Sequence, residues 1–218
     1  MLLTLSTGSL RRRLCSNGQS GMTMFDVPDF AIRQLGLHGL NVPASMMAGW
    51  SLEDLDRFRD SADKVACPCL VLVEDSPLRL ADKSEEIRKK SAERVRRLAV
   101  AANRLGCSSI AIHIEAEESD TAFDAVLGQI KTLMPAVERL ELNVLIAPHT
   151  GLTSTTERLT SIIKRVGGFR IGSLPSFGAA AQCGGGDPVE PLRKLAPYAG
   201  AIEATVSTFS KKGEHKDY

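Results

Sequence analysis

Short apolar runs alternate with longer amphipathic stretches along this chain, and that alternation constrains the fold more than any other feature. The strand-like runs fall at 2–6, 38–42, 69–75, 108–116, 143–149, 169–174 and 200–207. Helix-like stretches lie between them at 26–35, 51–66, 84–105, 120–140 and 154–166, with one more opened by Asp187 and Pro188. The stretch from Ser51 shows the logic. Ser51-Leu52-Glu53-Asp54 is close to a capping box, and Leu52, Leu55, Phe58, Ala62 and Val65 form one apolar stripe. Gly36, Gly106 and Gly167-Gly168 stop helices, and Pro135 predicts a kink. Strand then helix, repeated at about 30 residues, requires parallel strands joined by right-handed crossovers. Seven such units favour an α/β fold of the (β/α) TIM-barrel type over a doubly wound sheet. An eighth strand is missing, and barrels of this type usually run to ~250 residues. The expectation is therefore a single domain over 1–218, C-terminally incomplete, with a homo-oligomer as one way to cover the open edges.

Composition removes other classes. The chain is 43% hydrophobic and 24% charged, which fits a folded globular protein and excludes disorder, collagen and coiled coil. Lys plus Arg is 27 against 26 acidic residues, a net charge of +1, so no global basic field draws nucleic acid. No apolar run reaches the ~18–20 residues that a membrane helix needs. In MLLTLSTGSLRRRLC the basic residues follow the apolar ones, the reverse of a secretion signal. Five cysteines (Cys15, Cys67, Cys69, Cys107, Cys183) are an odd number without a disulfide framework, which predicts a reducing cytoplasm. Cys67-Pro68-Cys69 reads as ordinary semi-buried thiols, since no second pair completes a zinc site.

Parallel barrel strands turn alternate residues inward, and the helix-facing row is the more apolar one. Ile110, Ile112 and Ile114 then face the helices, while Ala111, His113 and Glu115 face in. Val144 and Ile146 face out, against Leu145, Ala147 and His149 facing in. The same rule puts Ser6, Asn41, Glu203, Thr205 and Ser207 inside. The late inward positions are polar and gather at the C-terminal mouth. Histidines and carboxylates converging there suit proton transfer or a divalent metal. Arg11-Arg12-Arg13, just after the first strand, reads as a solvated run, with Arg11 as a candidate clamp for an anionic substrate. Gly184-Gly185-Gly186 reads as a plain loop into a helix start, lacking the remainder of a phosphate-binding motif.

Several of these segments resemble the xylose-isomerase-like superfamily of sugar and sugar phosphate isomerases and epimerases, which also holds endonuclease IV-type DNA-repair enzymes. They are LSTGSL, LIAPHTGLTS, IGSLPSF, GGGDPVEPLRKLAPYAGAIEATV and GEHKDY, pieces spread over nearly the whole chain. The resemblance implies a TIM barrel acting on a small-molecule sugar or sugar phosphate. It also implies a divalent ion (Mn, Mg or Zn) and two metal-bound glutamates that move a proton next to a carbonyl. Family members read Glu-Asn-His-x-Gly at the fifth strand; here Ala147 takes the glutamate position, and His149 and Gly151 remain. The sixth-strand Asp falls on Leu174 or Pro175, and its His on Phe177 or Gly178. The seventh-strand His falls on Glu203. The second Glu lies past Tyr218. His113 and His215 match histidines of the endonuclease branch.

A rebuilt site then draws on Glu74, His113, Glu115, His149 and Glu203. Glu203, His149 and Glu115 are the expected catalytic groups. His113, Asn41, Ser6, Thr205 and Arg11 are the expected substrate contacts, and His149 with Glu203 the expected metal ligands. Isomerase or epimerase chemistry is the leading reading. A carbohydrate-binding barrel without metal chemistry is the alternative, and apurinic endonuclease-like DNA repair a remote one.

Overall fold

The computed structural model describes residues 2–15, 21–183 and 187–206. Six strands form one parallel sheet in chain order: β1 (Leu5–Ser6), β2 (Leu40–Pro43), β3 (Cys69–Leu78), β4 (Ser109–Ile114), β5 (Asn143–Ala147) and β6 (Ile171–Ser173). Every neighbouring pair is parallel. Eight helices are described: α1 (Arg11–Cys15), α2 (Val27–Leu35), α3 (Leu52–Lys64), α4 (Glu85–Arg104), α5 (Asp120–Glu138), α6 (Thr156–Val166), α7 (Phe177–Cys183) and α8 (Val189–Leu195). Consecutive strands lie side by side, which is the winding of a (β/α) barrel.

Local chemistry accounts for the helix boundaries. The Ser51 hydroxyl accepts from the Asp54 N–H while the Asp54 carboxylate accepts from the Ser51 N–H, a complete capping box at the start of α3. Ser119 and Thr155 cap α5 and α6 through their hydroxyls. Gly36 ends α2 in the left-handed region, at φ 64°. Pro135 sits inside α5, and the helix continues to Glu138 around it.

The sheet separates two cores. Leu5, Leu40, Val42, Leu72, Ile110, Ile112, Ile114, Val144 and Ile146 belong to the large core under the helices. Val71, Ala111, Leu145, Ala147 and Leu174 form a small second core. Ala111, Leu145 and Ala147 are inward residues expected for β4 and β5, so the second core is the barrel interior. The split follows from the period-two alternation of strand side chains. Cys67, Cys69 and Cys107 are buried free thiols, and burial pushes the Cys67 thiol up to about 11.

The seventh strand expected at 200–207 is not continuous. The segment after α8 forms two isolated bridges, Ser173 to Ala199 at the end of β6 and Ser176 to Glu203 just beyond it. The alternation would turn Leu3 and Ile202 toward helices as well, yet they are 59% and 50% exposed. The basic run Arg11-Arg12-Arg13 opens α1. Ser207, His215 and Gly184 to Gly186 lie outside the described residues.

This last segment approaches the sheet only because glycines permit it. A Cβ on Gly172 would lie 2.6 Å from the Tyr198 carbonyl oxygen, a backbone atom that cannot step aside. Gly172→Ala is therefore expected to destabilise the fold by about 1–3 kcal/mol, the usual cost of overpacking. Urea unfolding measures it, and an unchanged midpoint would contradict the close approach.

Candidate active site

Strand register brings the site together. His113 is the register partner of Ala147, so the two inward positions stand side by side at the top of β4 and β5. Two residues beyond Ala147 comes His149. Its ring lies edge-on to that of His113, with centroids 6.0 Å apart. Ala147 reaches no further than its Cβ and is itself buried, packed in the interior core with Leu145 and Leu174.

His113 is held through its ring and His149 through its backbone. The His113 Nδ1 lies 3.0 Å from the Glu74 carbonyl oxygen. A carbonyl only accepts, so Nδ1 carries the proton and Nε2 keeps its lone pair. His149 is placed by its loop. Its N–H donates to the Thr153 hydroxyl at 3.1 Å, and Thr153 is fully buried. Gly151 makes this turn possible: at φ 84°, a Cβ there would collide with the Ala116 carbonyl. The Leu152 N–H donates to that same carbonyl, tying the β5 loop to the end of β4.

Electrostatics set the state of His149. Burial lowers its pKa below the ordinary 6.5, His113 lowers it further, and Glu115 opposes both. His149 is therefore a neutral imidazole at neutral pH. Glu115 stands just past β4, exposed on the rim, with its carboxylate 3.8 Å from the Arg79 guanidinium.

Two clefts share Thr150 in their walls. The larger, about 770 Å³, includes His149, Thr150, Ser154, Thr155, Thr156 and Lys194 in its lining. Lys194 donates to Glu157 at 2.9 Å, and that bond holds the Glu157 carboxyl down at about 2. The smaller, about 530 Å³, is lined by Arg79, Asp82, Lys83, Glu115 and Thr150 among others. The hydroxyl-rich run Thr153-Ser154-Thr155-Thr156 was legible in the sequence, but nothing there marked it as a cleft wall.

The other expected site residues are placed as follows. No side-chain hydrogen bond or ion pair joins Glu203 to the imidazoles; its backbone carbonyl accepts from the Phe177 N–H. The Thr205 hydroxyl accepts from the Gly178 N–H at 3.1 Å and so fastens the chain to α7. Arg11 is already engaged, donating to Ser45 at 2.8 Å and Asp75 at 3.1 Å. Burial raises the Asp75 carboxyl, but hydrogen bonds from Ser45 and Arg11 outweigh it and hold the group below its ordinary value. Ser6 is half-buried at the end of β1, its carbonyl accepting from the Ser9 hydroxyl. Asn41 donates to the Thr4 hydroxyl at 3.0 Å, and its buried Oδ1 has no partner among the described residues. Glu74 turns away from the interior and pairs with Arg94 on α4.

The donor set does not suit the family's metal. Ala147 and Leu174 offer no ligand atom, and Glu115 is engaged with Arg79. Among the described residues no three His, Cys, Asp or Glu side chains form a group able to hold an ion. Nor is any described helix long and apolar enough to cross a membrane.

Solved structures share the architecture. The first is the probable 3-DHS dehydratase AsbF of Bacillus anthracis, at 19% identity and TM-score 0.72, covering 93% of this chain and 72% of that one. An L-ribulose 3-epimerase aligns at 11% identity and TM-score 0.78, covering 98% and 74%. D-psicose 3-epimerase of Clostridium cellulolyticum, solved with D-tagatose, aligns at 10% identity and TM-score 0.75, covering 94% and 73%. Likeness at these identities establishes the fold alone. No curated protein matches by sequence. The family model described as the xylose isomerase-like TIM barrel matches residues 30–217, and the chain belongs to that family.

Proposed function

We propose that this protein is an isomerase or epimerase that moves a proton beside the carbonyl of a small open-chain sugar, using its two mouth imidazoles. The observation that carries the reading is the edge-on His113–His149 pair at the mouth, with His149 in the wall of the larger cleft. His113 Nε2, with its lone pair free, takes the proton from the carbon next to the carbonyl. Neutral His149 gives an N–H hydrogen bond to the carbonyl oxygen as charge builds there. The proton then returns to the neighbouring carbon while the hydroxyl proton passes to the former carbonyl oxygen, giving the isomer, or a proton returns to the opposite face of the same carbon, giving the epimer, so no oxidant or reductant is needed. Thr150, Ser154, Thr155 and Thr156 supply hydroxyls suited to a polyhydroxylated chain. Its family supports the sugar class, and no step is routed through a metal.

A second reading is a barrel that binds such a sugar without turnover. Ala147, with Leu174 or Pro175, favours it, because the resemblance places carboxylates at those positions.

Incubation of the full chain with ketoses and aldoses in D2O separates the two. The first reading expects deuterium on the carbon beside the carbonyl, with His113→Gln slowing incorporation about 10²–10⁴-fold. Binding by calorimetry without incorporation supports the second reading. Exchange that depends on one tightly held divalent ion per chain would overturn the imidazole mechanism.

The lowered His149 pKa also links pH to stability. Below 6.5 the unfolded imidazole takes up a proton that the folded one resists, so unfolding is favoured as pH falls. The contribution is complete above that value and is lost as pH drops through the folded pKa. The melting temperature is expected to fall between pH 7 and 5, less steeply in His149→Gln. Equal slopes for the two proteins would contradict the assignment.

A further inference from the structure

Among the described residues Glu74 is the only charged side chain that is buried, at 2% exposure. Its carboxylate accepts from Arg94 Nε at 2.5 Å and Nη2 at 2.7 Å, and from the Ser76 N–H at 3.1 Å. A buried carboxylate needs such partners, yet an apolar pair would often be as stable, so the pair calls for an explanation beyond stability.

Its location supplies one. Glu74 is the register partner of Ile112, and the next pairing is Leu78 with Ile114. Residues 75–77 of β3 thus bulge out opposite a single residue of β4, and that residue is His113. Ladder hydrogen bonds do not hold the backbone here. Two carboxylates hold it instead: Glu74, tied to Ser76 on its own strand and to Arg94 on α4, and Asp75, tied to Ser45 and Arg11. The carbonyl of the same residue receives His113 Nδ1.

We propose that the Arg94–Glu74 ion pair is a positioning device: it fixes the bulge so that the Glu74 carbonyl selects the Nδ1–H form of His113. Arg94 and Glu74 touch no substrate and act through the imidazole. The catalytic consequence rests on His113 being the base; the choice of tautomer does not.

Two-bond 15N–1H spectra of the labelled full chain read the tautomer without substrate, with His113→Gln assigning the resonance. Wild type is expected to be mainly Nδ1–H. The double variant Glu74→Gln/Arg94→Met leaves no unpaired buried charge. In it the ratio of Nδ1–H to Nε2–H should fall about fivefold, the scale of one ordinary hydrogen bond. Glu74→Gln alone should move it in the same direction, and Arg94→Lys should retain most of the wild-type ratio. A folded double variant with an unchanged ratio, merely less stable, overturns the proposal. Should the double variant not fold, an unchanged ratio in Glu74→Gln does so equally. A tautomer that responds as expected in a protein that exchanges no deuterium would instead refute the isomerase reading and leave the positioning role standing.

Discussion

Burial on both faces of a parallel strand is the constraint from which the rest follows. In β4 and β5 the helix side takes Ile110, Ile112, Ile114, Val144 and Ile146, while the interior takes Ala111, Leu145 and Ala147. Because side chains alternate with period two, a one-residue slip would drive His113 into the large core. There an imidazole would lack both water and a partner. The apolar row thus fixes the register, and the register places His113 beside Ala147.

Charges at the mouth are largely neutralised by one another. Arg11 meets Asp75, Arg79 meets Asp82 and Glu115, and Lys194 meets Glu157. Exposed pairs of this kind add little stability individually. Their effect here is to orient loops and to leave the imidazoles as the mouth groups whose lone pairs remain open for chemistry. Thr153 and Gly151 do the same through the backbone, one as an acceptor buried under the loop, the other by permitting a contact that any side chain would block.

Much of this was legible in the residues themselves. The strand–helix alternation marks six of the strands and their helices, since each signal (a capping serine, a stopping glycine, an apolar stripe) acts within a few residues. Ile110, Ile112 and Ile114 announce their own row and so place His113. The short segment 200–206 was not legible. Its apolar residues suit a strand, but whether they pair depends on Gly172 and on α8, elements distant in sequence. Arg11 and Glu74 misled for the same reason: a charged residue at a strand end looks available until its partner is known, and Ser45, Asp75 and Arg94 are all remote along the chain.

Local periodicity by itself determined the fold class, the two-faced strands and the pair of histidines at one rim, because hydrophobic burial reads residue type at fixed short spacing. Only the tertiary structure decided which polar groups stay free. Hydrogen bonds and ion pairs form between residues brought close by packing, and the bulge in β3 that turns the Glu74 carbonyl toward His113 exists only where two strands fall out of step.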